Sequence, residues 1–554
     1  MKIQVRIDAA GALRNQRFAF AHRDTLVLEL LQNARRAGAT NIELHFDAAA
    51  RRLSVADDGC GIEDFQTLLT LHQSGWQAEP IREEHPFGVG FSSCLYAAER
   101  CIVRSKGRCI DFLTEAALAL EPIEVQPDAA SSGCPGCQVE LHGVHLVELE
   151  QRIERLCEGF PVPIHFNGRA LERRYAIDRL QAVPTPVGLV QLAGRYDGRH
   201  SRECLVYLQG ICVLRPIWWD ADRVNIVHLD AAQFLARLPD RVSLLDEDLQ
   251  GPRIQAALGS AWREALVAAK ARLSAERFVA AYFQVMRQWG HRDLLNDLDL
   301  LPAELCQAIV GYPHQQADGA CDFLQALDRA PSRAAIEGGS CTLVNLGPLD
   351  EFNAARWMFA RHRGHLVVDA VWLDPGHWAH RCIQDLESQE VELQAIDEHT
   401  RSSFEGRWLW APVVLCDRLR IQSGDISTEV SSEGVGHDGT LYIPAGEASG
   451  RALRQLSRYL DENDLSLDHE LGEDLQALAD LLRRLRSADP VQTFDSLLAE
   501  LRLGQYPLLR GRSFRVSIGI GNGNGNGDQP GHSVECDPVI DAPTEFSGDS
   551  HAAH

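Results

Sequence analysis

The chain has 554 residues, of which 45% are hydrophobic and 24% charged. This is ordinary globular composition, and the length allows roughly three or four domains. The net charge of −24 disfavours nucleic acid as a partner, because an acidic surface repels phosphate backbones. No apolar run approaches the roughly 20 residues of a membrane span, and no signal-peptide pattern is present. We therefore expect a cytoplasmic protein whose 15 cysteines are reduced.

The first predicted element is a helix followed by a strand, within "LVLELLQNARRAGATNIELHF", residues 26–46. Leu26, Leu30 and Ala34 recur at helical spacing and form an apolar stripe. Glu29 and Asn33 lie four residues apart and border that stripe. Alone, such a pair would indicate a solvated helix edge.

A second strand, "RRLSVAD", is predicted to pair with the first around the turn "DAAA". Asp57 then stands at a strand end and is followed by Gly59 and Gly61. Glycines there allow the backbone to approach a flat ligand closely, and an aspartate can accept a hydrogen bond from an exocyclic amine. By itself this pattern also matches many acidic turns.

Residues 73–86 are polar and rich in helix breakers, which predicts a loop. Gly88 and Gly90 follow it and lead into a helix, "FSSCLYAAERC". A glycine-rich loop before a helix presents free N–H groups and the positive end of the helix dipole, which favour phosphate. Alone, it could be a flexible hinge.

In this order, the elements resemble the GHKL ATPases: gyrase, the ninety-kilodalton heat-shock chaperones, histidine kinases and MutL. The resemblance covers about residues 1–145 and continues more weakly to about 275. "ELLQNARRAGATNIEL" and "DDGCGI" are most similar to MutL, whereas "QSGW" and "FGVGFSSCLYAAERCIV" are most similar to the chaperones. "GCQVEL" lies where the family has a Gly-Thr strand, with Cys137 replacing the threonine. The resemblance implies an α/β sandwich of the Bergerat type.

The resemblance also implies ATP as ligand and Mg²⁺ as cofactor, with a role for each motif. Glu29 matches the base that activates water, Asn33 the Mg²⁺ ligand and Asp57 the residue that reads adenine. Gly88 and Gly90 match the turn that closes over the phosphates. The remaining implied ATP contacts are Gly59, Gly61, Ser74, Gly75, Val89, Phe91 and Cys137.

Residues 146–275 fit the α/β transducer-like domain that supplies a basic residue to the γ-phosphate in the heat-shock, MutL and gyrase branches. Lysine is present only at Lys2, Lys106 and Lys270, and Lys270 lies in an amphipathic helical pattern. An arginine is therefore the favoured contact. The sequence does not choose among four candidates, Arg215, Arg223, Arg237 and Arg241. Taken singly, each of them is more simply explained as a surface arginine.

Beyond the first two domains, 1–145 and 146–275, the pattern predicts three further regions. Residues 276–420 mix helices and apolar strands, residues 421–515 form a helical module, and residues 516–554 are a Gly/Asn-rich tail. We expect disorder from about residue 521 onward, because such a segment cannot build a core.

Two patterns weakly suggest metal sites. "CPGCQVELHGVH" contains Cys134, Cys137, His142 and His145, but strand alternation would send these side chains to different faces. "DPGHWAH" contains His377 and His380, a spacing more typical of a helix start. We therefore favour a structural role for both.

The resulting hypothesis is a slow Mg²⁺-ATP-dependent hydrolase. ATP closes the loop around residues 73–90, docks the second domain and pairs two N-terminal domains in a homodimer. The net charge favours a protein client, as for a chaperone or remodelling enzyme. A MutL-like DNA clamp and a nucleotide-binding switch with incidental hydrolysis remain alternatives.

Overall fold

The computed structural model describes residues 4, 11, 13, 15, 25–70, 90–132, 136–237, 241–314, 321–350, 352–457, 465–519 and 534–539. The chain divides into two compact units. The first comprises Met1–Cys306, Asp328–Ser340 and Asp369–Cys382; the second comprises Gln307–Leu327, Cys341–Val368 and Ile383–His554. Among the described residues, no helix is both long enough and apolar enough to cross a bilayer.

An eight-stranded sheet begins the first unit, in the order β5-β4-β3-β6-β2-β1-β7-β8. Neighbours are antiparallel except β1 and β7, which are parallel. The strands are β1 (Ile42–Asp47), β2 (Arg52–Asp57), β3 (Arg100–Ser105), β4 (Arg108–Leu113), β5 (Val125–Pro127), β6 (Cys137–His142), β7 (Ile164–Phe166) and β8 (Arg169–Ala170). The accompanying helices are α1 (Thr25–Arg36), α2 (Gln66–Leu69), α3 (Ser92–Ala97), α4 (Thr114–Leu118) and α5 (Leu149–Cys157).

The core of this sheet follows from the alternation in its strands. Leu44 on β1, Leu53 on β2 and Leu141 on β6 are fully buried and lie in one cluster with Leu26 and Leu30 of α1. Since alternate strand residues point to one face, α1 covers that face with its apolar stripe. The helix and the β1–β2 hairpin are therefore formed as the sequence predicts.

The first sheet extends past residue 145, the predicted end of the first domain. After α5 the chain returns as β7 beside β1, and Ile42 pairs with Ile164. The turn to β8 uses Asn167 and Gly168 at positive φ of 48° and 80°. The Asn167 side chain also accepts a 2.9 Å hydrogen bond from the Phe46 N–H. The segment read as the beginning of the second domain thus completes the first sheet.

A five-stranded sheet follows in the first unit, in the order β12-β11-β13-β10-β9. Its strands are β9 (Val183–Thr185), β10 (Gly188–Gln191), β11 (Cys204–Leu208), β12 (Ile211–Leu214) and β13 (Asn225–Leu229). The segment "ECLVYLQGICVL" forms a hairpin of β11 and β12, because Gln209 and Gly210 both have positive φ and reverse the chain. All residues of β11 and β13 are buried, which explains their continuous apolar pattern.

Two long helices complete this region, α6 (Glu247–Arg272) and α7 (Ala275–Trp289). The sequence pattern predicts a domain boundary close to the junction between these helices, at residue 276. Only a short turn separates α6 from α7. In this turn the Ser274 hydroxyl caps α7 by accepting a hydrogen bond from the Arg277 N–H. The two helices pack together, so α7 belongs to the first unit. A further short helix of this unit is α8 (Arg333–Glu337).

The second unit contains two larger sheets. The first has the order β15-β14-β17-β16-β18, with β14 (Cys306–Ile309), β15 (Leu324–Ala326), β16 (Leu343–Asn345), β17 (Leu366–Val368) and β18 (Ile383–Asp385). The second has the order β19-β20-β23-β22, with β21 paired to β20; its strands are β19 (Val391–Glu405), β20 (Trp410–Ser423), β21 (Ile426–Val430), β22 (Val435–His437) and β23 (Thr440–Pro444). Helix α9 (Ala354–His362) contributes to a core shared with β20 and β22.

The helical module predicted from residue 421 begins later. From residue 421 to Pro444 the chain forms the end of β20 and strands β21, β22 and β23. Residues Arg451–Gln455 then form a 3-10 helix. The predicted helices are α10 (Leu465–Leu485) and α11 (Pro490–Glu500). The predicted tail also contains structure: β25 (Val534–Val539) lies where disorder is expected and pairs with β24 (Ser513–Ile518), which begins just before the tail. In sequence, the Gly/Asn run lies between these two strands.

Candidate nucleotide-binding site

Residues 183–289 of the first unit, which include the five-stranded sheet β9–β13 and helices α6 and α7, are called the second sheet domain below. Glu29 lies on the face of α1 that meets this domain. Its side chain is only 4% exposed, and Asn33 is half-buried one turn further along. The Asn33 Oδ1 accepts a 3.3 Å hydrogen bond from Arg36 Nη1. The helix therefore presents a buried carboxylate and a more accessible amide oxygen at adjacent turns.

The Glu29 carboxylate is paired with Arg241 from the segment that precedes α6. Arg241 Nε donates to Glu29 Oε1 at 2.9 Å, and the arginine side chain is only 10% exposed. Arg241 itself has φ of 54°, and its N–H bonds to the Arg237 carbonyl at 3.0 Å. A buried charge is strongly penalised without a partner, so this pair neutralises both groups in a region largely closed to water.

Helix α1 has other contacts with the second sheet domain. Gln32, which is 1% exposed, donates from Nε2 to the Gln209 carbonyl at 3.0 Å. Ile211, the first residue of β12, lies in the same buried cluster as the apolar stripe of α1. The β11–β12 hairpin and Arg241 thus hold the helix that carries Glu29 and Asn33.

Gly90 packs directly against the Glu29 carboxylate. A Cβ at this position would stand 2.1 Å from Glu29 Oε2, closer than any real contact. The Gly90 carbonyl accepts from the Ser93 N–H at 3.1 Å and from its hydroxyl at 2.7 Å, which anchors the start of α3. A side chain at position 90 would therefore displace the Glu29 carboxylate, because the Gly90 backbone forms one wall beside it.

The resemblance implies that Glu29 activates water for ATP hydrolysis. In that case, replacing Gly90 by alanine is expected to reduce hydrolysis by roughly ten- to a hundredfold, because a displacement of about 1 Å in a catalytic group has effects of this size. Steady-state ATPase rates would measure the loss. Gly251→Ala provides a matched control, since a Cβ there meets nothing within 4 Å. Unchanged turnover in the Gly90 variant would mean that Glu29 does not need its present position.

Asp57 lies at the end of β2, opposite Cys137 on β6. Its Oδ1 accepts a 2.9 Å hydrogen bond from the Gly59 N–H, and its carboxylate also accepts from the Cys137 N–H. Burial raises the pKa of Asp57 above its ordinary value, and the two backbone donors oppose that rise. Burial, together with the nearby Asp57, raises the pKa of the Cys137 thiol, which therefore stays protonated and can donate only a weak hydrogen bond.

The neighbouring Asp58 has a different role. Its carboxylate accepts from the Thr40 N–H at 2.7 Å, the Thr40 hydroxyl at 2.5 Å and the Asn41 N–H at 3.0 Å. These bonds hold the pKa of Asp58 below its ordinary value, the hydroxyl bond having the largest effect. Asp58 thus ties the end of β2 to the turn after α1, whereas Asp57 keeps acceptor capacity for a ligand.

The other predicted site residues divide into two groups. Gly59 is buried, with Ala37 so close that a Cβ would lie 2.7 Å from the Ala37 Cβ, and Gly61 has φ of 69°. Phe91 is buried at the start of α3. The predicted contacts Ser74, Gly75, Gly88 and Val89 lie outside the described residues.

The structure distinguishes among the candidate cations of the second domain. Arg215 pairs with Glu158 at 2.7 Å, Arg223 with Asp220 at 3.4 Å, and Lys270 with Asp297. Arg241 is the candidate whose guanidinium contacts Glu29. The sequence offers no signal for this choice, because 212 residues separate the two partners.

The described residues of the two metal-like patterns form no metal-binding cluster. Within the described ranges no group of three or more His, Cys, Asp or Glu is arranged to hold a metal ion, and Cys134 lies outside those ranges. His377 instead caps a 3-10 helix, its Nδ1 accepting from the Ala379 N–H at 3.1 Å. Burial lowers the pKa of His377 to about 4, so the ring is neutral. His380 hydrogen-bonds to the Asp374 carbonyl.

Comparison with known proteins assigns the domain that contains Glu29, Asp57 and Gly90. Residues 22–139 match the family described as histidine kinase-, DNA gyrase B-, and HSP90-like ATPases. The N-terminal domain is thus an ATPase domain of the GHKL superfamily, as the motifs indicate.

A relative is similar to this chain over a longer stretch than the family match. Over 222 residues the chain is 27% identical to the DNA mismatch repair protein MutL of Gemmatimonas aurantiaca. The aligned region is 38% of this chain and 33% of that MutL, so the chain spans about a third of the relative's length.

Proposed function

We propose that the protein is a Mg²⁺-dependent ATPase in which the second sheet domain controls the catalytic carboxylate. The observation that carries this proposal is the buried 2.9 Å pair between Glu29 and Arg241. A transducer-like role for the region around residues 146–275 follows, because it supplies Arg241, Gln209 and Ile211 to α1.

In this proposal Glu29 is the general base for the attacking water. A carboxylate that is neutralised by a guanidinium is a poor base, because accepting a proton would leave the arginine charge buried and unpaired. A triphosphate near α1 offers Arg241 a stronger anionic partner, since guanidinium binds phosphate oxygens in a bidentate manner. Transfer of Arg241 from Glu29 to phosphate would both free the base and neutralise the phosphate.

Asn33 and Asp57 supply the remaining contacts. The Asn33 amide oxygen is a suitable Mg²⁺ ligand, since its present bond to Arg36 is long, at 3.3 Å, and its side chain is half-buried. Bound Mg²⁺ would neutralise charge on the phosphates. Asp57 would accept from the adenine amine, with the Cys137 thiol in place of the usual hydroxyl.

We also retain ATP-driven closure of the loop at residues 73–90 and pairing of two N-terminal domains as part of the proposal. Gly90 supports closure, because its backbone already contacts Glu29 and so connects that loop to the base. A non-hydrolysable ATP analogue is then expected to shift the full chain toward dimer in sedimentation, whereas ADP is not.

Two classes of client are candidates for this ATPase, protein and DNA. The net charge of −24 favours a protein client, with a chaperone-like or remodelling role. The similarity to MutL favours a DNA-transaction clamp as the second candidate. DNA binding measured across a salt series separates them, because a phosphate-binding clamp must weaken steeply as salt rises. Absence of any protein or DNA client would favour the simpler nucleotide switch.

The direct test of the nucleotide site is Asp57→Asn. This substitution is expected to raise the Kd for ATP by about tenfold or more, because an amide would turn a donor toward the adenine amine or lose the bond. Calorimetric titration measures the change. Asp58→Asn is the matched comparison and should lower thermal stability, since Asp58 accepts three structural hydrogen bonds. If the Asp57→Asn variant binds ATP as tightly as the parent, the adenine ring is held by other residues.

A further inference from the structure

A buried serine connects the two backbone segments that flank Asp57. Ser105, the last residue of β3, is fully buried and lies opposite Cys137 in the β3–β6 pair. Its hydroxyl donates to the Gly136 carbonyl at 2.8 Å and accepts from the Ile62 N–H at 2.9 Å. A serine hydroxyl can both donate and accept, so one side chain satisfies a backbone group from each segment. Ser105 therefore bridges the loop after β2 and the start of β6.

The peptide group between Gly136 and Cys137 connects Ser105 to Asp57. Its carbonyl accepts from the Ser105 hydroxyl, and its N–H donates to the Asp57 carboxylate. Because a peptide group is planar, fixing the direction of the carbonyl also fixes the direction of the N–H. Hydrogen bonds in such a chain polarise one another, which strengthens the N–H as a donor. Gly136 fits closely at this point, since a Cβ there would stand 1.8 Å from the Asp57 carbonyl oxygen. The Asp57 carboxylate is therefore oriented by a donor that Ser105 holds in place.

The second hydrogen bond of Ser105 fixes the far end of the loop after β2. The accepted N–H belongs to Ile62, and the next residue, Glu63, contacts the same β3–β4 turn. Lys106 pairs with the Glu63 carboxylate at 2.9 Å, and Arg108 donates to the Glu63 carbonyl. Glu63 is largely exposed, so its ion pair contributes little, as is usual at a protein surface. The bond to the buried Ser105 hydroxyl is therefore the one that holds this end of the loop.

We propose that Ser105 is a positioning residue that makes the nucleotide site select adenine, acting on Asp57 through the peptide group of residues 136 and 137. This rests on the proposed function, in which Asp57 accepts a hydrogen bond from the adenine amine. A carboxylate distinguishes the amine only when its oxygen points toward it, because hydrogen bonds weaken steeply as they bend. Loss of the Ser105 hydroxyl would leave the Gly136 carbonyl and the Ile62 N–H without this partner, and both would shift to find another. The Asp57 carboxylate would then turn away from the amine.

The test compares the Kd of ATP with that of inosine triphosphate, in which a carbonyl replaces the adenine amine, by calorimetric titration of the full chain. The parent should bind ATP at least about tenfold more tightly, because the carbonyl would set an acceptor against the Asp57 carboxylate. Ser105→Ala should reduce this ratio about fivefold or more, through weaker ATP binding. Ser105→Thr, which keeps the hydroxyl, should retain the parental ratio. A role in folding alone would weaken the apparent binding of both nucleotides equally, so the ratio would not change.

Thr114→Val is the matched control for loss of a buried hydroxyl in the same sheet domain. Thr114 is 5% exposed, and its hydroxyl donates to the Ala98 carbonyl at 2.6 Å. This variant should lose stability and keep the parental ratio. In an Asp57→Asn background, Ser105→Ala should change the ratio no further, because the serine acts through that carboxylate. If Ser105→Ala does not fold, Ser105→Cys takes its place, since a thiol is only a weak donor and should also lower the ratio.

A parental ratio in Ser105→Ala would overturn the positioning role. So would an equal fall in Thr114→Val, or a further fall when Ser105→Ala is added to Asp57→Asn. The proposed function fails in a different way. A parent that binds neither nucleotide, or binds both equally, would contradict adenine recognition by Asp57 and this inference with it. A ratio that is lost in Asp57→Asn but kept in Ser105→Ala would overturn the role of Ser105 alone.

Discussion

Replacing Glu29 by glutamine is expected to reduce ATP hydrolysis by at least about a hundredfold, the usual contribution of a positioned general base. ATP affinity should remain within a few-fold of the parent, because the amide removes proton acceptance without changing the shape of the site. Steady-state turnover and calorimetric titration of nucleotide measure the two effects separately. Near-normal turnover in Glu29→Gln would remove Glu29 from the catalytic role.

Glutamine is preferable to alanine here because of Arg241. The introduced amide side chain would keep an oxygen that can accept from Arg241 Nε, whereas Glu29→Ala would leave a buried guanidinium without a partner. Breaking one partner of a buried ion pair costs about 3–5 kcal/mol. We therefore expect Glu29→Ala to lose stability as well as hydrolysis, and Glu29→Gln to lose mainly hydrolysis. Equal thermal stability of the two variants would mean that Arg241 finds another partner.

The sequence is sufficient to place most of the first domain. Helical spacing in α1 and alternation in β1 and β2 are strong local patterns, and the buried Leu26, Leu44 and Leu53 follow from them. Asp57 and Gly59 could also be predicted, because a strand end followed by glycine has few structural solutions. The approach of Gly90 to Glu29 could not, since 61 positions separate them and no local pattern encodes a tertiary contact.

Domain boundaries were harder to predict for a related physical reason. Strand β7 reads as the beginning of a new α/β unit because nothing local indicates its parallel pairing with β1. Ser274 marks a new helix, but a capping residue cannot tell whether the helix packs backward or forward, and α7 packs on α6. The different roles of Asp57 and Asp58 follow from their surroundings, since Asp57 is partly buried whereas Asp58 is exposed and accepts hydrogen bonds from Thr40 and Asn41.

Replacing Arg241 by methionine is expected to lower both stability and hydrolysis. Methionine replaces the aliphatic stem of arginine but is uncharged, so Glu29 would remain buried without its cation, at a cost of about 3–5 kcal/mol. Hydrolysis should fall by roughly ten- to a thousandfold if Arg241 also neutralises phosphate, as arginines at phosphoryl-transfer sites do. Thermal unfolding and single-turnover hydrolysis measure the two effects. Arg223→Met is the matched control, because Arg223 pairs at the surface with Asp220 and should change neither.

The double variant Glu29→Gln with Arg241→Met separates two effects of Arg241: its pairing with the Glu29 carboxylate and its contribution to hydrolysis. In the glutamine background the buried carboxylate is gone, so the stability penalty of Arg241→Met should shrink by at least about 1 kcal/mol, a coupling typical of residues in direct contact. Strictly additive penalties would show that the 2.9 Å pair makes no energetic contribution. The sign of the rate change in Arg241→Met alone then decides its role. A fall supports an arginine that both holds Glu29 and assists phosphate. A rise would mean that Arg241 only restrains the base, and that the cation for the γ-phosphate must come from elsewhere.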